Sequence, residues 1–582
     1  MASVPLPVRS GRIRLGLRLR PDADGVLAWL VTVALFVLIA APLGAVVVQA
    51  FVPGLFYGDR TFQGFGYLLE LFERRLWRVS LYNSLTLAGG TAIFGTALGC
   101  ALALLRHGYR FPLARTLDTA AWALLIMPSF IVAQGWVLFA ARGGIAPELL
   151  GAAWVSDLVF SPTGLILVMS LKTYPFAYLT MSAALRWNVA DLGHAARLCG
   201  AGAVRVFFTV RLPLLVPAIL AGMVLVFVDT IGDFGLPAAL ATTYRFPTLP
   251  YTIYTAINQA PIRFDLAGVL SFYLISILAV AVALHVWIVR TGFYEFLTAR
   301  ARPSEPAVPR HAWLCTAVTV VFLLIAIGLP LGTSVAVSFM DRIGAGFVWD
   351  NLTLAHYAAT LSPGSRLRES LANSFTIAAL AGLASIVLGL AAAYLLTLGQ
   401  TRLRTLIDVT CTTTLAVPGV ILGVGTIFVW NQRWLDDLGL SLYGHPAILV
   451  LAAIAGAVPI AVRVLLGALA QVPPSFLAAA ALQGAGLPRR LLTILLPLLA
   501  TAILSATLAA FGTSVFDLAI SSLLRPPGFE VIPVTINRQF QQGEFGLSTA
   551  STVIAAGLTI AAIVTVQVLF DRFVRIGAGR PA

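Results

Sequence analysis

The chain has 582 residues, of which 59% are hydrophobic and 11% charged, with a formal net charge of +14. A soluble domain carries about a quarter of its residues charged, so this composition excludes an ordinary soluble protein and describes a membrane protein with the lipid bilayer as its first partner. A basic balance can also serve nucleic acid, but the placement of the arginines argues against that partner. Arg9, Arg12, Arg14, Arg18 and Arg20 precede the first apolar run, Arg106, Arg110 and Arg115 follow the second, and Arg290, Arg300, Arg302 and Arg310 fall at mid-chain. Basic residues beside membrane helices mark the cytoplasmic side, so the charge reads as topology.

A helix needs about 20 apolar residues to cross a bilayer core. Such runs occur at 27–51, 82–105, 116–140, 160–185, 213–235 and 265–289, then at 312–338, 372–397, 406–430, 446–470, 497–522 and 549–573. The expected fold is an all-α membrane protein of about twelve transmembrane helices, with both termini cytoplasmic. The opposite loops mix signs, as in Glu70, Glu73, Arg74, Arg75 and Arg78. The first run is too long for a cleaved signal peptide and lacks a cleavage site, so it is kept as a span. Cys100, Cys199, Cys315 and Cys411 form no CxxC pair, and the histidines are scattered, which argues against a disulfide or a protein-built metal site.

The chain repeats itself. HAARLCGAGAVRVFFTVRLP at 194–213 and AAAALQGAGLPRRLLTILLP at 478–497 share ten of twenty positions at a shift of 284. Earlier in each half the shift is 290, pairing Asn83 and Ser84 with Asn373 and Ser374, Asp118 with Asp408, and Pro128 with Pro418. Pro175 pairs with Pro459 and Asp233 with Asp517 at 284. The implied organisation is a cytoplasmic segment 1–26, a six-span repeat 27–290, a linker 291–311, a second six-span repeat 312–573 and a tail 574–582. Six is even, so the halves run in parallel, related by an axis along the membrane normal.

Within the repeated stretch, Ser475 is placed to cap a helix from Phe476, Gly484 to stop it, and Gly486 with Pro488 to start another. The first copy offers Asn188 or Asp191 as cap and Gly200 as stop. Each copy enters the next span through Leu-Pro, giving a helix–turn–helix knob on the cytoplasmic side. A single copy would read as a loop rich in small residues; duplication argues for a shared task.

The stretch resembles the EAA motif of importer-type ABC transporter permeases, in which Glu-Ala-Ala, three residues, Gly, nine residues and Ile-x-Leu-Pro mark the loop that docks on the ATPase. Here the pattern falls on His194, Ala195, Ala196, Gly200, Val210, Leu212 and Pro213, and on Ala478, Ala479, Ala480, Gly484, Ile494, Leu496 and Pro497, with Gly202, Arg205, Gly486 and Arg489 also shared between copies. The acidic first position is absent from both, so any ion pair made by that carboxylate is missing. The only lysine is Lys172, so no GxxxxGK[ST] phosphate loop exists in this chain. The resemblance implies a type I importer permease in the bacterial inner membrane that is not itself an enzyme. It binds no cofactor, works with two ATPase subunits that use ATP, and receives substrate from a periplasmic binding protein. An ion-coupled secondary transporter is the competing class, since parallel repeats occur there too.

Ionisable residues within spans tend to mark pathways. Asp233 lies 20 residues beyond Pro213, roughly 30 Å at 1.5 Å per residue, which predicts a place near the outer mouth, with Asp229 one turn deeper and Asp517 equivalent to Asp233. These carboxylates either line a pathway or accept backbone hydrogen bonds at a helix break. Lys172 is either a partner for Asp229 or a snorkelling residue. Asn83, Ser84, Asn373 and Ser374 read as caps at the start of the second spans, and Pro128, Pro418, Pro175 and Pro459 as kinks around a cavity. The stretches GDFGLPAAL with FPTLPYTIY, and VFDLAISSLLRPPG with FQQGEFG, resemble the fused ferric iron permeases. Permeases for polyamines, thiamine, phosphonates and oxyanions share the layout and stay open as alternatives.

Overall fold

The computed structural model describes residues 21–57, 61–186, 195–241, 245–291, 308–346, 348–399, 401–414 and 416–577. Among them, 11 helices are long and apolar enough to cross a membrane, or 12 if one sharply bent pair counts as a span, and no strand forms. Apart from the third of each half, the spans match the sequence expectation in number and order, with shifted ends: the second begins at Arg75 rather than 82 and its repeat at Arg366 rather than 372, while the fifth spans stop at Gly232 and Val515 rather than 235 and 522.

Proline explains where helices break or widen. The expected third span at 116–140 divides into Thr116–Ile126 and Ser129–Ala140, because Pro128 forces Met127 out of the helical region to ψ 127°. Its repeat divides into Arg404–Thr414 and Gly419–Trp430, bent by 119° at Pro418. Pro175 and Pro459 lie inside unbroken helices, Pro162–Arg186 and Ala447–Leu469. Four π-helical turns, Phe36–Ala40, Phe207–Arg211, Leu324–Gly328 and Leu491–Leu495, each lead into a helix with proline at its second residue. Proline lacks an N–H and its ring crowds the carbonyl one turn back, and the wider turn relieves both.

The two halves exchange their first spans. Ala41–Phe51 packs on Gly419–Trp430 of the second half, and Leu329–Ser338 packs on Ser129–Ala140 of the first. Lipid offers no hydrophobic drive between helices, so such contacts depend on small residues that let backbones meet. A Cβ on Gly135 would lie 2.1 Å from the Pro330 carbonyl oxygen, and one on Gly425 would lie 2.4 Å from that of Pro42. Gly135 and Gly425 are equivalent at the shift of 290, so the same crossing is built twice.

At the end of the bundle away from the repeated loops, the Asn-Ser pairs do a different job from the one expected. They lie two turns inside helices Arg75–Gly108 and Arg366–Thr397, not at their starts. Ser84 Oγ accepts the Leu249 N–H at 2.7 Å and Ser374 Oγ accepts that of Ile532 at 2.9 Å, so each serine caps a short helix (Leu249–Asn258 or Ile532–Gln541) more than 150 residues away in sequence. Asn83 donates to the Pro247 carbonyl at 3.0 Å and Asn373 to that of Glu530 at 2.9 Å. Ser80 meets Thr252 at 2.8 Å, and Ser370 meets Thr535 at 2.7 Å.

Candidate functional site

In both copies of the repeated stretch a helix is stopped by a left-handed glycine. Gly200 has φ +86° and Gly484 +76°, values that residues with a Cβ rarely adopt. Behind each, the N–H of the next alanine returns to the helix: Ala201 to the Ala196 carbonyl and Ala485 to that of Ala480, both at 3.0 Å. This is the 6→1 bond of a Schellman stop. A second helix then starts, Ala203–Val206 or Leu487–Arg490, with the Gly202 or Gly486 carbonyl accepting its first bond at 3.0 or 3.1 Å. Thr209 and Thr493 each donate to the carbonyl of Arg205 or Arg489 at 2.6 Å, holding the turn that leads to Pro213 or Pro497.

Ser475 is not a cap, because the helix begins one residue earlier, at Pro474, where proline costs no bond. Asn188, Asp191 and His194 lie outside the described residues. Ala195 and Ala479 are exposed, Ala196 and Ala480 half-buried, and Arg205 and Arg489 exposed. One feature was missed: Leu198 is 90% exposed and its equivalent Leu482 88%, so each knob carries a bare leucine at its tip. The signal was present, since that leucine is among the ten shared positions.

A cavity of about 470 Å³ lies between the halves, lined by Asp229, Asp233 and His285 of the first and by Thr412, Val417 and Pro418 of the second. Lys172 is 8% exposed, and its Nζ stands 3.4 Å from Asp229 Oδ2. Of the two readings for this lysine, the ion pair is the observed one. Asp233 Oδ1 accepts the Leu236 N–H at 2.9 Å, and Asp517 Oδ1 accepts the Ile520 N–H at 2.9 Å, so both carboxylates hold a helix break. Asp233 also faces the cavity, and the Pro418 ring sits against Gly232 beside it.

The depth differs from the expectation. Lys172 is near the middle of the 25-residue helix Pro162–Arg186, which sets Asp229 at mid-bundle. Asp233 stands one turn away, and the chain then passes through two more short, largely buried helices, Gly235–Leu240 and Leu249–Asn258, before the sixth span. Counting residues from Pro213 put it at the mouth by taking the fifth span to cross from face to face, whereas its helix stops at Gly232, level with the middle of Pro162–Arg186. His285 and Thr412 were also missed: His285 is a lone polar residue in an apolar run and Thr412 is one of four threonines in VTCTTT, so spacing singles out neither. Thr412 accepts a hydrogen bond from Arg463. Among the described residues, no three His, Cys, Asp or Glu side chains group as a metal site.

Doubled six-span bundles with exchanged first helices, a cavity at their junction and a matched pair of projecting knobs define a membrane permease of duplicated design. The chain belongs to the family of binding-protein-dependent transport system inner membrane components, whose model matches twice, over residues 95–302 and 385–576. It is 23% identical over 524 residues to the ferric transport system permease protein of Actinobacillus pleuropneumoniae, covering 89% of this chain and 74% of that one. A putative ferric transport system permease of Haemophilus influenzae is 25% identical, covering 78% and 72%. The molybdenum transport system permease protein of Escherichia coli is 29% identical over 218 residues, 37% of this chain and 93% of its own length. That permease thus matches, over nearly its whole length, a stretch somewhat shorter than one half of this chain. The protein is the non-enzymatic membrane component of an importer.

Proposed function

We propose that this chain forms the pathway by which an ABC importer carries ferric iron across the bacterial inner membrane, with both termini cytoplasmic and repeats at 27–290 and 312–573. A separate pair of ATPase subunits grips the two knobs, one per half, and a periplasmic binding protein delivers the cargo. The observation that carries the coupling role is the pair of knobs. Each is stiffened by a left-handed glycine stop and ends in an exposed leucine, suited to a hydrophobic pocket on a partner. Nucleotide binding draws the ATPases together, the knobs follow, and the bundles rock about their shared cavity. ATP is used on the partner, and this chain needs no cofactor.

Ferric iron is favoured because two of the relatives matched over most of the chain are named ferric permeases. Iron(III) is a hard cation suited to carboxylate oxygens, and Asp229 and Asp233 face the cavity it would cross. An oxyanion is the second reading, supported by the molybdenum permease matched over a single-half length.

The test is accumulation of radiolabelled ferric iron in cells that lack this chain, retain the other transport subunits and have no other iron importer. Loss of uptake, restored by the wild-type copy, supports the reading. Unchanged uptake sends the search to oxyanions, polyamines, thiamine and phosphonates.

A further inference from the structure

The charge in the junction cavity is one-sided. By the shift of 284, Lys172 corresponds to Gly456 and Asp229 to Thr513, so the ion pair exists only in the first half. The second half contributes Thr412, Ala416, Val417 and Pro418 to the wall, none of them charged. His285 faces the same space and its Nδ1 is buried without a hydrogen-bond partner. Asp229 and Asp233 therefore face a space large enough for a hydrated ion, with the Lys172 ammonium behind Asp229 and an unsatisfied imidazole nitrogen beside them, while on the second half the Arg463 guanidinium donates to Thr412 of the wall.

Stability does not explain the pair. A buried ion pair often gains nothing over apolar residues of the same volume, and the other half manages with glycine and threonine. The contact is also loose: 3.4 Å, against about 2.7–2.9 Å for a well-formed charge-assisted bond. Lysine is a point charge on a flexible four-carbon stem, able to leave a carboxylate without moving the backbone.

We propose that Lys172 is a tethered stand-in for the cargo: its ammonium occupies Asp229 while the pathway is empty, and a hard multivalent cation entering the cavity displaces it. This rests on the cation-cargo reading above. Counted with both carboxylates ionised, the Lys172, Asp229 and Asp233 set carries one net negative charge with the ammonium in place, and two without it. The returning ammonium competes the cation off again. Passage stays fast because the described residues offer the cation no three-ligand group that could hold it as a chelate.

The test uses the intact transporter, with its ATPase subunits, in lipid nanodiscs and terbium(III) as a redox-inert hard cation read by luminescence titration. Lys172→Met removes the competitor and is expected to tighten terbium binding about tenfold or more, on the scale of a charge within 4–6 Å. Iron uptake slows in the same variant because release becomes limiting. Lys172→Arg keeps the charge and is expected to bind terbium as the wild type does. Asp229→Asn is expected to weaken terbium binding, and it keeps the proposal testable if the methionine variant does not fold. Equal terbium affinity in wild type, Lys172→Met and Asp229→Asn overturns the inference while leaving iron uptake, measured separately, as support for the cargo reading. If Lys172→Met instead abolishes molybdate binding by the transporter, Lys172 is an anion ligand and both the inference and the cation reading fall.

Discussion

Ser374 Oγ accepts the backbone N–H of Ile532 at 2.9 Å, tying the second span of the second half to a short helix 158 residues later. Ser84 and Leu249 repeat the bond in the first half at 2.7 Å. Replacing either serine by alanine leaves a buried N–H at a helix start without an acceptor. Each substitution is expected to cost about 1–2 kcal/mol, seen as a lower midpoint in thermal or denaturant unfolding of the purified protein. An unchanged midpoint in Ser374→Ala would mean that the cap carries no weight.

The exchanged first spans give a second prediction. Gly135→Ala and Gly425→Ala each force a methyl into a proline carbonyl of the opposite half, an overpacking expected to cost about 1–3 kcal/mol. Gly557→Ala, inside a helix and with nothing within 4 Å of the new methyl, is the control and should melt no lower than the wild type. Equal melting of all three variants would contradict the crossing.

Glu530 supplies a pH dependence. It lies between the last two spans, and Arg538 Nη1 donates to its Oε1 at 2.8 Å. Burial pushes its carboxyl up, but the hydrogen bond and charge of Arg538, with a bond from Thr535, more than offset that and hold it below the usual glutamate range. A carboxyl lowered on folding stabilises the protein above its unfolded pKa of about 4.3. That contribution is lost as pH falls through the lower folded value. Melting curves should show Glu530→Gln less stable than wild type near neutrality, with the gap closing as pH falls below about 4.3. A gap that stays constant down to strong acid would rule out this role for the pair.

Much of this was legible in the sequence because it is local and duplicated. Gly200 and Gly484 as helix stops, Asp233 and Asp517 as holders of a helix break, and Pro128 and Pro418 as the places where the third spans yield all follow from short-range backbone chemistry. What escaped depends on distant contacts. Nothing in periodicity tells that Pro330 crosses to Gly135, or that Ser84 caps a helix starting at Leu249 instead of its own. The depth of Asp233 failed for a related reason: the run 213–235 reads as a full crossing, but its helix stops at Gly232 inside the bundle and buried short helices follow.

The glycine stops give the fourth prediction. A non-glycine residue in the left-handed region costs about 1–2 kcal/mol, and a bulky one at Gly200 and Gly484 together should dislodge both leucine tips. In Gly200→Leu/Gly484→Leu the protein is expected to insert normally while substrate-stimulated ATP hydrolysis and uptake are both lost. Wild-type uptake by that double variant would remove the coupling role from the knobs.

The most direct measurement of the central claim is accumulation of ferric iron in proteoliposomes holding this chain, its ATPase subunits and the binding protein. Accumulation that requires ATP and survives a protonophore is the result expected of an ABC importer permease. Accumulation driven by an imposed proton gradient, with no ATPase present, would contradict it and make the chain an ion-coupled transporter.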